Sequence, residues 1–126
     1  MIYRKRRPLP PHSLEAEVNL LSGLLYNKAA WPELSPQLHR ELFYGQLHRE
    51  VFDALAALFT FHREVTFEML RDELRKRNSD VYYYQLQELE LYEINAGSVT
   101  RYAEIVIERY QQREAWFAEN EALSDD

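Results

Sequence analysis

Any chemistry in this chain has to come from its four histidines, its carboxylates or its tyrosines, because the sequence contains no cysteine. That absence rules out disulfides, thiolate metal sites and cysteine nucleophiles. His12, His39, His48 and His62 share no metal-ligand spacing, and no thiolate completes a site around them. His48 lies on the rim of an apolar helix face, where a packed or hydrogen-bonded structural role is the ordinary one. Asp72 with Glu73, and Glu88 with Glu90, fall on solvated helix faces that offer nothing to split their pKa values into an acid and a base. The strings Gly-x-x-x-x-Gly-Lys-Ser/Thr, Gly-x-Gly-x-x-Gly, Gly-x-Ser-x-Gly and His-Glu-x-x-His do not occur. These residues imply no catalysis, no metal and no cofactor, which leaves binding.

Binding residues are easier to find. Tyr82, Tyr83 and Tyr84 are consecutive, and consecutive helical residues point about 100° apart, so one core cannot take all three. At least one is then partly exposed, and exposed tyrosines favour protein interfaces. Local packing is the competing use. A nucleic-acid stacking platform interleaves Lys and Arg with its aromatics, whereas Glu88, Glu90 and Glu93 follow here. Arg4, Lys5, Arg6 and Arg7 supply four of the 15 bases, leaving 11 against 21 acids, about −10, on the rest of the chain. So acidic a body is a poor general phosphate surface. The basic run reads either as a solvated tail or as a contact for nucleic acid or an acidic subunit.

The elements that must position these residues are helical. At 126 residues, 46% apolar and 29% charged, the chain is ordinary for one soluble domain with its own core. No apolar run approaches a membrane span, and no apolar stretch of a signal peptide follows the basic N-terminus, so a cytoplasmic protein is expected. Few glycines and few β-branched runs argue against strands. Pro8, Pro10 and Pro11 make an extended arm that stops at a helix start. Ser13 caps the first helix, with Glu15 and Glu17 at the positive end of its dipole. Leu14, Val18, Leu21 and Leu25 repeat at helical spacing as far as Tyr26, with Asn27 expected as a left-handed stop.

A short helix is expected at residues 31–34, broken at Pro36, then a turn at Phe43-Tyr44-Gly45. The next helix spans 46–62 with Leu47, Val51, Ala54, Leu55, Leu58 and Phe61 inward. Thr66 caps a third, to about Arg77, with Phe67, Leu70 and Leu74 inward and Val65 stapled to Leu70. Asn78-Ser79-Asp80 is both its stop and the next cap, for a helix from Val81 to about Leu91. Asn95-Ala96-Gly97-Ser98 breaks the pattern before a long helix that starts near Val99. Helical to about Glu121, that last element is roughly 35 Å long, more than a compact head needs. Val99, Ala103, Val106, Tyr110 and Phe117 form one stripe, interrupted by Arg113, with Tyr102, Ile105 and Trp116 beside it. The distal half, with Tyr110, Trp116 and Phe117, is expected to pass the head and ask for a partner; folding back over its own domain is the alternative.

Several separated blocks carry a resemblance. Leu9-Pro10-Pro11-His12-Ser13-Leu14-Glu15-Ala16-Glu17, with the leucines that follow, resembles the opening of the N-terminal domain of bacterial replicative DNA helicases of the DnaB family. The segment from Leu34-Ser35-Pro36 through Phe43-Tyr44 to His48 and Val51-Phe52 is similar to that family's Phe-Tyr…His…Ile-Phe region. The helix capped by Thr66 matches its Val-Thr…Leu position, and Arg101-Tyr102-Ala103-Glu104-Ile105-Val106 resembles its Tyr-Ala-x-Ile-Val block. The likeness covers roughly residues 8–114. Two places depart from it: the triple tyrosine replaces a Gly-Gly before Tyr-Leu, and Asn95-Ala96-Gly97-Ser98 replaces a Thr-Pro-Ser-Ala-Ala-Asn approach to the hairpin.

The resemblance implies an all-α fold, a compact six-helix head followed by a long helix that is the first arm of a helical hairpin. On that basis residues 1–12 are a basic proline arm, 13–97 the head, and 98–126 the hairpin helix with an acidic tail. The end at Leu123-Ser124-Asp125-Asp126, before any second arm, reads as an excised piece of a longer ATP-dependent helicase. The implied function is non-catalytic, namely self-association (a dimer or higher, a hexamer in the full-length parent) and docking of a DnaG-type primase or a loader. Self-association falls to Tyr102, Ile105, Val106, Tyr110, Trp116 and Phe117; partner docking falls to Glu15, Tyr82, Tyr83 and Tyr84. Two other functions compete: a stand-alone phage or plasmid factor that binds helicase or primase, and a small helical nucleic-acid binder using Arg4, Lys5, Arg6 and Arg7.

Overall fold

Ser13 is extended and its Oγ accepts the Ala16 amide at 3.2 Å, so the first helix, α1, begins at once and spans Leu14–Tyr26. The structure, a computed structural model, describes residues 8–27, 29–81, 83–91 and 98–124. After α1 come α2 (Ala30–Leu34), 3-10 turns at Ser35–Gln37 and Arg40–Leu42, then α3 (Gln46–Phe61), α4 (Phe67–Lys76), α5 (Tyr83–Leu91) and α6 (Val99–Ser124). Among the described residues there is no strand, and no helix is long and apolar enough to cross a membrane.

α1 is the central post. Every residue from Ala16 to Leu25 is buried, the pattern of a helix packed on all sides. α3, α5 and α6 surround it, and α4 closes the far side of α3. Leu20, Leu21, Leu24, Leu42, Phe43, Leu55 and Leu70 are fully enclosed. The polar groups that α1 takes inside are bonded: Ser22 Oγ donates to the Leu89 carbonyl at 2.8 Å and Asn19 Nδ2 to the Glu15 carbonyl at 2.8 Å.

α6 runs antiparallel to α1. At its start Val99 meets Gly23 so closely that a Cβ on the glycine would lie 2.6 Å from both Val99 Cβ and Val99 Cγ2. Near its middle Arg113 reaches Pro11, just ahead of α1. The stretch 99–113 therefore spends itself alongside α1. The remainder, 114–124, is about 16 Å of helix at 1.5 Å per residue that passes the start of α1.

Local signals decide most boundaries. Thr66 Oγ1 accepts the Met69 amide at 3.2 Å, and the staple residues Val65 and Leu70 are both buried. Asn78 stops α4 in the left-handed region at φ 54°, with the Ser79 amide reaching back to the Leu74 carbonyl at 3.0 Å.

Asn27 and Phe61 depart from expectation. Asn27 is extended, at φ −108°. Its Oδ1 accepts the Ala29 amide and its carbonyl the Ala30 amide, so it opens the next turn instead of closing a left-handed cap. Phe61, placed inward by spacing, is 84% exposed, because it is the last residue of α3 and extends beyond what α4 covers. Phe52, off the expected stripe, is buried instead. The linker residues Asn95, Ala96 and Gly97 lie outside the described residues.

The contact of α1 with α6 makes a prediction. Gly23→Ala gains roughly 1 kcal/mol of helix propensity but overpacks against a Cβ that cannot rotate away, at about 1–3 kcal/mol. A net loss of about 1 kcal/mol is expected in urea unfolding, recovered in part when Val99→Ala is added.

Candidate functional site

The loop between α2 and α3 is gripped from both sides by buried charge. Its 3-10 turn ends at Leu42, and Phe43, Tyr44 and Gly45 lead into α3. Gly45 is the N-cap of α3 and offers no side chain of its own. Glu17, from α1, binds the two main-chain amides just ahead of the helix: one carboxylate oxygen takes the Tyr44 amide at 2.8 Å, the other the Gly45 amide at 3.1 Å. His48 Nδ1, one turn into α3, donates to the same carboxylate at 2.9 Å. A Cβ on Gly45 would lie 2.8 Å from that ring nitrogen, so the glycine leaves room for the imidazole to reach Glu17.

Glu17 is only 1% exposed. Burial pushes its pKa up, but the His48 hydrogen bond, the two amides and the attraction of His48 outweigh that, and the carboxyl titrates below its ordinary value.

Arg113 holds the other side of the loop. Its guanidinium donates to the carbonyls of Leu42 at 2.7 Å, Pro11 at 3.1 Å and Glu41 at 3.4 Å. It is 4% exposed and sits 5.7 Å from the ring centres of both Tyr44 and Tyr110. Burial pulls its pKa down, while the charge of Glu17 opposes that shift. Arg49 Nε completes the set by donating to the Phe43 carbonyl at 2.7 Å. His12 stacks on Tyr44 with ring centres 4.2 Å apart, which fixes the end of the proline arm to the same place. The arrangement is a closed set of bonds, in which Glu17 and His48 are spent on each other and on the loop. No group of three potential metal ligands exists among the described residues. It is a mount for α6.

The residues expected to carry self-association divide at this mount. Val106 is 1% exposed and belongs to the head's own core, so it is spent within one copy. Tyr102 and Ile105 are half-buried against that core. Tyr110, expected beyond the head, instead packs its ring edge-to-face with His39 at 5.2 Å. The projection therefore begins after Arg113. From 114 to 121 every residue but Trp116 is exposed, and Phe117 is 48% exposed with its ring edge-to-face on Trp116 at 5.1 Å.

Glu15 is exposed in the first turn of α1, close in sequence to the Pro11 carbonyl that Arg113 holds. Tyr82, the side chains of Tyr83 and Tyr84, and Arg4, Lys5, Arg6 and Arg7 lie outside the described residues. Sequence reasoning missed Arg113, read as a gap in an apolar stripe, and the inward role of Glu17, read as a dipole charge. Their position on apolar stripes was the available signal, since a charge there has to be either paired or exposed.

The chain has known relatives. Residues 9–108 match the family described as DnaB-like helicase N terminal domain. The chain belongs to that family. It is 34% identical over 104 residues to the replicative DNA helicase DnaB of Pasteurella multocida, covering 80% of this chain and 22% of that protein. Against the replicative DNA helicase DnaB of Haemophilus influenzae it is 31% identical over 109 residues, covering 84% and 23%. The crystal structure of the N-terminal domain of DnaB helicase from Mycobacterium tuberculosis superposes with a TM-score of 0.81 at 25% identity, covering 91% of this chain and 82% of that one. The chain thus spans about a fifth of the length of these curated DnaB helicases.

In this DnaB-type domain the Glu17 mount is expected to be pH-sensitive. A carboxyl whose folded pKa is depressed adds stability above its ordinary value of 4.5, and that stability is lost as pH falls through the folded value. Glu17→Gln should cost about 2–3 kcal/mol at neutral pH. The gap between variant and parent should close as pH drops below the ordinary glutamate range, in urea unfolding measured across a pH series.

Proposed function

We propose that this chain serves as the N-terminal module of a replicative DNA helicase, joining copies of itself and docking primase or a loader, with no catalysis of its own. One observation carries the reading: an amphipathic helix is mounted rigidly on the head through Arg113 and then continues bare, with Phe117 exposed beside Trp116. Large aromatics are the usual anchors of protein interfaces, and a rigid helix loses little entropy when it is bound.

The motor that hydrolyses nucleotide belongs, in this reading, to the part of a DnaB helicase outside the matched segment. That accords with the missing phosphate-binding string. Glu15, exposed near the mount, is assigned to the partner surface, together with the region of Tyr82, Tyr83 and Tyr84. The whole works in the cytoplasm.

Replacing both Trp116 and Phe117 with alanine should leave the head's melting temperature within a few degrees and weaken self-association by at least about tenfold. Sedimentation equilibrium across a dilution series measures it. Unchanged association would remove these two residues as anchors. Titration with a primase should in turn show weaker binding for Glu15→Lys than for the parent chain.

A further inference from the structure

α4 packs on α3 and α5 packs on α1, and between α4 and α5 lies a cleft of about 380 Å³. Its floor is aliphatic, made by Leu74, Val81 and Leu86, and its rim carries Arg71 and Arg75. That volume falls in the range of sites for small organic ligands. The chain holds 21 acids against 15 bases, yet among the described residues no carboxylate lines this cleft.

The rim charges are not spent internally. Arg71 and Arg75 stand one turn apart on α4, an arrangement that costs helix stability until an anion lies across it. Arg71 touches Asp72 at 3.3 Å, but that pair faces solvent and is easily exchanged. Arg75 is exposed and makes no ion pair among the described residues.

Asn78 completes the rim. It is held in the left-handed region at φ 54°, with the Ser79 amide on the Leu74 carbonyl at 3.0 Å. Its side-chain amide makes no hydrogen bond among the described residues and carries a donor beside an acceptor, the pair that reads the N6 and N7 edge of adenine. Ser79, also on the rim, is committed: its Oγ donates to Glu50 Oε1 at 3.1 Å.

A ligand for this cleft needs an apolar body, a polar edge and adjacent anionic groups. A nucleoside diphosphate has all three, and guanidinium groups bind phosphate through paired, charge-assisted hydrogen bonds. An acidic peptide supplies carboxylates and an apolar side chain but nothing that calls for Asn78. A nucleic-acid strand would bring many phosphates onto a body where 21 acids face 11 bases beyond residue 7.

We propose that the α4–α5 cleft binds an adenine nucleotide, with the base over Leu74, Val81 and Leu86, its edge on Asn78 and its phosphates on Arg71 and Arg75. Binding is the whole of its chemistry, and no bond of the nucleotide is made or broken. Occupancy ties together two helices that hang from different neighbours, which makes the site regulatory.

Ligand-observed NMR titration of the whole chain with ADP, UDP and inorganic pyrophosphate tests this. ADP should bind with a Kd below about 1 mM, and UDP and pyrophosphate about fivefold or more weakly. Arg71→Gln with Arg75→Gln should weaken ADP binding by about tenfold or more, with the helical melt unchanged by circular dichroism. Asn78→Gly keeps the left-handed stop, since glycine adopts that region freely. It should erase the preference for ADP over UDP and leave pyrophosphate binding as it was.

Pyrophosphate bound as tightly as ADP would reduce the cleft to an anion patch and overturn the proposal. Undiminished ADP binding by the arginine variant would do the same, as would a preference for ADP that survives Asn78→Gly. An acidic, leucine-bearing peptide that binds where ADP does not would make the cleft a protein contact instead. None of these results bears on self-association, which the Trp116 and Phe117 alanine pair tests separately.

Discussion

A short loop, residues 40–45, governs this structure, because five of its polar main-chain groups are satisfied by charges brought from other elements. Glu17 takes the amides of Tyr44 and Gly45, Arg113 feeds the carbonyls of Glu41 and Leu42, and Arg49 feeds that of Phe43. Leu42 and Phe43 are buried, so these groups would otherwise stand unsolvated at considerable cost. The two charges do not need to touch. Each holds one side of the same loop, and through it α1, α3 and α6 are locked into one body. Breaking either grip leaves buried groups without partners, a larger loss than the bond alone.

The mount also divides one helix into two parts. Up to Arg113, α6 is a core element, with Val99, Ala103 and Val106 closed against α1. From 114 to 121 the same helix is exposed at every residue but Trp116, and its direction is inherited from the buried part. A binding element on a rigid helix is better oriented than one on a loop. In the proposed reading such a projection joins copies at a set angle, a geometric task requiring no reactive group.

Much of this fold was legible in the sequence, and the legible parts are the local ones. Ser13, Thr66 and the Val65–Leu70 staple set helix starts through atoms a few residues away, so their chemistry is written in adjacent letters. The stripe on α6 and the leucines of α1 follow from helical period alone. What escaped depends on distant contacts. Arg113 looked like an interruption because its partners are 71 and 102 positions away. Glu17 looked like a dipole charge because the helix it serves begins far along the chain. Phe61 fitted the apolar face of α3 by phase, yet the covering helix stops short of it. Asn27 had the right type for a left-handed stop, but the next turn takes its carbonyl and side chain first.

The claim that both charges act through one shared loop has a direct thermodynamic test. Unfolding free energies are needed for Glu17→Gln, Arg113→Met and the double variant, all at neutral pH. A shared loop predicts non-additivity, with the double variant losing less than the sum of the singles by at least about 1 kcal/mol, because the first loss already frees what the second would have held. Losses that add to within about 0.4 kcal/mol would mean that two independent bonds happen to lie near one another, and the account of how α6 is mounted would be wrong.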